Sequence, residues 1–218
     1  GADVALVGDA TTLAPVAREL TDRAGRALAV DATLTDRDAL GDALGETAEA
    51  FGQLVGAVVH TAMTPIAYET VAFEDVDDER WETVWEGTMR AALAVLQASF
   101  GVMHGIGGRI VFVTPTVSMS GAAGLVPYTT AVEGQRLLAK SAARQWGPDG
   151  ITVNCLAVAP EQVPIGVASA ATSLAAPALG GPGDPEHDLG PLVAFLLSDA
   201  GHFVSGTTLG ADGGVWMG

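Results

Sequence analysis

The chain has 218 residues, 49% of them hydrophobic, which is enough for one domain with a sizeable core and too apolar for a disordered segment. A formal net charge of −16, from 26 acidic and 10 basic residues, opposes nucleic-acid phosphates and argues against that class of partner. No apolar run reaches the roughly 18 residues that cross a bilayer, no basic-then-apolar leader opens the chain, and a single cysteine, Cys155, excludes a disulfide framework, so a cytoplasmic location is expected.

In chain order, apolar strand-like runs alternate with helical periods, the pattern of an α/β fold with a parallel sheet. Gly1 to Asp9 form a short apolar strand and a turn. Thr11 or Thr12 is placed to cap the next helix, whose Leu13, Val16, Ala17 and Leu20 share one face. That helix stops near Gly25, and Ala27 to Val30 read as a second strand. Thr35 to Asp38 open a helix with Leu40, Leu44, Thr47 and Phe51 on one face, ended by Gly52. Leu54 to His60 read as a third strand, whose unbroken apolar run predicts burial on both faces.

After an acidic stretch at 73–80, a long helix is predicted from about Trp81 to Met103. Strand 110–114, a helix from about Tyr128 to Trp146 and strand 151–158 follow. Residues 161–187, rich in Ala, Pro, Gly and Ser without a period, read as a mobile surface loop. Leu192, Phe195 and Leu196 mark a short amphipathic helix, and Thr207 to Ala211 the last strand. With no internal repeat and no linker, residues 1–218 read as one domain.

Four stretches resemble the short-chain dehydrogenase/reductase family. They are Ala29-Val-Asp-Ala-Thr-Leu-Thr-Asp-Arg-Asp38; Trp81-Glu-Thr-Val with its helix and Gly108-Arg-Ile-Val; Tyr128 at the head of a helix leading to Gly150-Ile-Thr-Val-Asn154; and Phe195-Leu-Leu-Ser-Asp-Ala with Val204-Ser-Gly-Thr-Thr-Leu and Asp212-Gly-Gly. The resemblance implies a Rossmann-like three-layer sandwich around a mostly parallel, doubly wound sheet. It aligns Gly1 to Val7 with the family's second strand, so the first strand–helix unit and its phosphate-cradling glycine turn have no counterpart. Taking residues 4–13 as a degraded first strand and turn leaves only one glycine there.

Other cofactor positions depart from the family as well. His60-Thr-Ala-Met63 stands where the family has Asn-Asn-Ala-Gly, and Pro160-Glu161 where it has Pro-Gly. The bulk of Met63 and the charge of Glu161 both oppose a bound pyrophosphate. Asp9 stands beside the position that usually meets the adenosine ribose, and it reads as a turn residue. No cofactor-binding residue is therefore assigned, and NAD or NADP is expected in a partner subunit.

The family's catalytic set is a tyrosine, a lysine one helical turn later, a serine and an asparagine. Free tyrosine titrates near 10, so proton transfer near neutral pH needs a nearby cation. Tyr128 matches the tyrosine, but Val132 holds the lysine position, Pro115 the serine position and Thr88 the asparagine position. Lys140, the only lysine, lies roughly 18 Å further along the helix. Thr114 and Thr116 flank Pro115 and could offer a hydroxyl if the loop shifts, while Glu133, if close, would raise the tyrosine pKa. Tyr128 thus reads as a packing relic with no confident catalytic residue around it.

His60, His104, His187 and His202 lack metal-ligand spacing, so no metal is expected. His60 stands at the mouth of the crevice where ligands bind in such sheets, although a structural role is its first reading. Trp81 and Trp85, one turn apart, read as core or subunit interface.

What the resemblance preserves is assembly. In the family the helices matching 81–103 and 128–146 pair with those of another subunit. Here Ala91, Ala92, Leu93, Val95, Leu96, Ala98 and Ser99 give the first helix small, apolar faces. Leu137, Leu138, Ser141, Ala142 and Gln145 do the same for the second. The last strand and the tail 212–218 resemble a second interface. The expectation is a non-catalytic subunit of a hetero-oligomer, a tetramer, with an active NAD(P)-dependent paralogue. The acyl-CoA-linked dehydrogenase of anaerobic toluene breakdown is similar in arrangement. Two readings stay open beside it: an atypical reductase using Tyr128 with Thr114 or Thr116, and a ligand-binding or regulatory module using the crevice near His60 and the 161–187 loop.

Overall fold

Parallel strands order the chain in a computed structural model that describes residues 2–163 and 176–217. Strand β1 (Val4–Gly8) pairs with β2 (Ala27–Asp31) in a two-stranded sheet. Strands β3 (Ala57–His60), β4 (Gly108–Pro115), β5 (Ile151–Val158) and β6 (Thr208–Ala211) form a four-stranded sheet in that order. Every pairing is parallel. Helices α1 (Ala10–Ala24), α2 (Arg37–Phe51), α3 (Asp78–Trp85), α4 (Ala91–Met103), α5 (Val117–Ser120), α6 (Val126–Trp146) and α7 (Gly190–Leu197) lie along the connections. This is the expected α/β class, with the sheet in two parts. Among the described residues no helix is long and apolar enough to cross a membrane.

The core sits on both faces of β4 and β5, and every residue of β5 is buried. On one face Ile110, Phe112 and Val153 pack with Leu96 and Met103 of α4 and Ala139 of α6. On the other, Val111, Leu156 and Val158 pack with Leu196 of α7. A strand buried on both faces needs an apolar run, which β4 has at 110–113 and β5 at 155–158, while the buried Asn154 of β5 donates to the Val204 carbonyl and accepts from the Thr207 N–H.

Three local expectations are corrected. Asp9, not Thr11 or Thr12, caps α1: its carboxylate accepts from the Thr11 and Thr12 N–H groups and from both hydroxyls. A charged acceptor there also complements the positive end of the helix dipole. The helix predicted from Trp81 begins at Asp78 under an Asp77 cap, and a π turn at Glu86–Arg90 joins α3 to α4. Only Ala57–His60 of the predicted 54–60 strand is paired, and Val59 is 39% exposed because β3 is a sheet edge. Within the predicted 161–187 loop, a 3-10 turn spans Pro160–Gln162 and a π turn Pro185–Leu189, and residues 164–175 lie outside the described part.

Two glycines give opposite expectations. A Cβ at Gly201 would lie 2.5 Å from the Phe195 carbonyl and 3.1 Å from Leu196 Cα. Gly201→Ala is therefore expected to cost about 1–3 kcal/mol in urea unfolding. Gly41, inside α2 with nothing within 4 Å, should gain up to about 1 kcal/mol on becoming alanine.

Candidate functional site

Pro127 in the first turn of α6 presets its entry, and Tyr128 follows on the inward face with 1% exposure. Ala67, Val84, Val117, Leu125 and Val132 enclose it, with Met63, Tyr68 and Val163 packed against them. The Tyr68 ring meets Tyr128 edge-on at 5.7 Å. The Tyr128 hydroxyl is buried without a hydrogen-bond partner. Burial, reinforced by Tyr68, pushes its pKa far above the ordinary tyrosine range.

The sequence-predicted neighbours are placed as follows. Val132 is fully buried in the same cluster, filling the position of the expected cation with a branched hydrocarbon. Thr88 lies in the π turn, fully buried with its hydroxyl unpartnered, and its carbonyl accepts from Gln135 Nε2 at 3.2 Å. Pro115 ends β4, and its carbonyl accepts from Ser118 Oγ at 3.0 Å. The Thr114 hydroxyl is buried without a partner, and Thr116 Oγ1 donates to the Val158 carbonyl at 3.3 Å. Only Val132 is thus gathered into one cluster with Tyr128, and no threonine hydroxyl bonds to it.

Glu133 does not act on Tyr128 as expected. Its carboxylate accepts from Ser118 Oγ at 2.9 Å and from Arg136 Nη1 at 2.8 and 2.6 Å. Arg136 Nε donates onward to Thr208 Oγ1 of β6 at 3.1 Å. The chain Ser118–Glu133–Arg136–Thr208 ties α5, α6 and β6 together. Sequence reading missed it, although the i, i+3 spacing of Glu133 and Arg136 was a usable signal. Tyr68 and Met63 were missed as a cover over Tyr128 because residues 61–70 carry no period.

His60 is 5% exposed, lies edge-on to Phe112 at 5.1 Å and leaves Nε2 unpartnered. Burial pushes its pKa down to about 4, so it is neutral at pH 7. The remaining histidines are paired at the surface: His104 with Asp149, His187 with Asp184, and His202 with the Asp199 carbonyl. Among the described residues no three His, Cys, Asp or Glu side chains are grouped to hold a metal. Cys155 is a core residue, its thiol pushed up to about 11 by burial. A cavity of about 700 Å³ lies between β1 and β3, and His60 lines it while Tyr128 does not.

Three positions that the family resemblance assigns to a dinucleotide are otherwise occupied among the described residues. At the end of β1 the Asp9 carboxylate is committed to the N–H groups that open α1, so it caps a helix and is not held out for a ribose. Met63 is packed into the Tyr128 cluster, and Glu161 stands exposed in the turn after β5.

The expected assembly faces also change. Ala91, Ala92, Val95, Leu96, Ala98, Ser99 and Ala142 are buried inside this chain, so they belong to its own core. Leu93, 44% exposed on α4, and Leu137, 65% exposed on α6, remain on the outside with Ser141 and Gln145. Trp81 and Trp85 stack on each other, with Trp85 partly exposed. In the tail, the Asp212 carboxylate accepts from the Gly214 and Trp216 N–H groups, and Trp216 and Met217 remain exposed.

A family model described as enoyl-(acyl carrier protein) reductase matches residues 1–216. The chain is 32% identical to the cis-4-hydroxycyclohexanecarboxylate dehydrogenase of Sinomonas cyclohexanicum over 205 residues, covering 91% of this chain and 80% of that one. It is 31% identical to a short-chain type dehydrogenase/reductase of Picea abies, covering 78% of this chain and 65% of that one, just under two thirds of the relative's length. It is 29% identical to the L-rhamnose 1-dehydrogenase (NAD(P)(+)) of Azotobacter vinelandii, covering 93% and 80%. Among solved structures, levodione reductase superposes with a TM-score of 0.84 at 21% identity, over 98% of this chain and 88% of that one. A short chain dehydrogenase from Mycobacterium smegmatis gives 0.80 at 21% identity, over 97% and 81%. These two likenesses carry the fold alone.

Proposed function

Because the chain belongs to the short-chain dehydrogenase/reductase family, we propose that it serves an oxidoreductase as a non-catalytic subunit, with an active NAD(P)-dependent paralogue performing the hydride transfer. One observation carries this reading: the Tyr128 hydroxyl is sealed in an apolar cluster with Val132 where a cation would be needed. A general acid must reach the reacting proton at about 2.6–3.2 Å and titrate near the working pH. Tyr128 is aimed into hydrocarbon, and its pKa is displaced upward. The outward Leu93 and Leu137 give α4 and α6 apolar contacts for a partner subunit.

The test is co-expression with a paralogue from the same source. The chain alone is expected to show no NAD(P)H turnover, and the complex to be active. Tyr128→Phe should leave kcat/KM of the complex unchanged within about twofold, since no transition-state contact is lost. Leu93→Asp with Leu137→Asp should abolish co-purification. The dehydrogenase names of the relatives favour a second reading, an atypical reductase in which Tyr128 acts with Thr114 or Thr116. Turnover by the chain alone that disappears in Tyr128→Phe would establish that reading and overturn the first.

A further inference from the structure

Helix α3 buries one side and leaves two tryptophans on another. Val84, 1% exposed in the Tyr128 cluster, fixes which side of the helix meets the core. Trp81 and Trp85, one turn apart, share a neighbouring side, with ring centroids 6.1 Å apart and an interplanar angle of 15°. Their stacking still leaves Trp85 40% exposed. With Glu82 and Glu86 they wall an open surface pocket of about 300 Å³. The two carboxylates differ. Glu86 is held by Arg90 Nη1 at 2.9 Å, whereas Glu82 is exposed and free of ion pairs among the described residues. Seven carboxylates lie between residues 74 and 86, and Arg80, the one cation among them, is drawn off to Glu69 at 3.2 Å.

We propose that this pocket docks an arginine side chain presented by a basic segment of a partner protein. An indole face attracts a cation through its quadrupole, and two indoles beside an unpaired carboxylate offer that attraction and an ion pair in one place. The surrounding carboxylates repel anions and raise the local concentration of cations. A metal ion has too few ligands, since no three His, Cys, Asp or Glu side chains are grouped among the described residues. Between the two basic side chains the flat walls decide. A guanidinium is planar and weakly hydrated, so it can stack on an indole while its N–H fork reaches the Glu82 carboxylate. A lysine ammonium is a compact, strongly hydrated point charge that gains less from a ring face. Free arginine would carry its own carboxylate into this acidic field, and an arginine inside a peptide does not. The carboxylates flanking the pocket then meet the other cations of the segment, which steers its approach and makes binding sensitive to salt.

The test titrates the full chain with an end-blocked Gly/Ser peptide carrying several arginines, followed by the indole N–H resonances. Trp81 and Trp85 are expected to shift and saturate together, while Trp146, stacked on Phe100, and Trp216 in the tail stay in place. The same peptide with lysines should bind more weakly, and with citrulline, which keeps the shape without the charge, not at all. Trp85→Leu should weaken the arginine peptide about fivefold, and Glu82→Gln, an exposed change that leaves the fold intact, about threefold. Raising the salt should weaken binding further. Four results would overturn the proposal. The citrulline peptide could bind as well as the arginine one, Trp81 and Trp85 could stay unmoved, Glu82→Gln and a folded Trp85→Leu could both bind like the wild type, or arginine amide alone or a trimethyllysine peptide could bind as tightly, which would make this a small-molecule or quaternary-ammonium site. The readout is direct binding, independent of turnover and so separate from the subunit reading above.

Discussion

Replacing Val132 with lysine, which restores the residue type that the family places one turn after its tyrosine, is expected to destabilise the chain severely and to confer no NAD(P)H turnover. Val132 is fully buried among Ala67, Val84, Val117, Leu125 and Tyr128. An ammonium there has no counter-ion, because the nearby Glu133 carboxylate is committed to Arg136 and Ser118. An uncompensated buried charge costs about 3–5 kcal/mol, and a buried lysine escapes part of that only by losing its proton. A neutral lysine would not favour the phenolate, so the chemistry would still be absent. Val132→Met separates charge from bulk, since overpacking alone costs about 1–3 kcal/mol. Urea unfolding of the two variants should show the lysine clearly below the methionine. A lysine variant as stable as the methionine one, with measurable turnover, would mean that the pocket opens and that Tyr128 is a dormant catalyst.

The same residues show where sequence reading succeeds and where it stops. The central strands and long helices are legible because burial on both faces demands apolar runs, as at 110–113 in β4 and 155–158 in β5. Substitution at Val132, Pro115 and Thr88 is legible because each position is fixed relative to Tyr128 and to the strand before it. Burial direction along α4 is not legible. A helix with mean composition as apolar as Ala91–Met103 does not declare which side faces its own core, and most of its small residues turned inward, leaving Leu93 outside. The cover over Tyr128 is also hidden from sequence. Met63, Tyr68 and Val163 come from two loops far apart in the chain, and their meeting depends on tertiary packing. The gap between β1 and β3 belongs to the same class. An apolar run at Leu54–His60 predicts a doubly covered strand, and only the structure shows that β3 is an edge among the described residues and that Val59 is uncovered.

His60 supplies the second large effect, a loss of stability on mild acidification. Its pKa in the fold is about 4, lowered by burial from 6.5. The unfolded chain therefore binds a proton between about pH 6.5 and 4 that the folded chain refuses. Stability rises with pH wherever the unfolded state holds more protons, so this contribution is full above pH 6.5 and is lost as pH falls toward 4. A difference of this size corresponds to about 3 kcal/mol. Asp3 and Asp9 have lowered values, held down chiefly by Arg26 and Thr11, so their losses come below the ordinary Asp range and fall beneath this window. His187 is raised by Asp184 and acts in the opposite sense, but it is fully exposed and screened. The net expectation is a urea midpoint that drops steeply between pH 7 and pH 5. In His60→Leu, which removes the titrating ring but keeps an apolar wall, the midpoint should be nearly flat across that range. A wild-type midpoint that does not move, or a His60→Leu midpoint that falls as steeply, would show that the ring is already protonated or solvated in the fold.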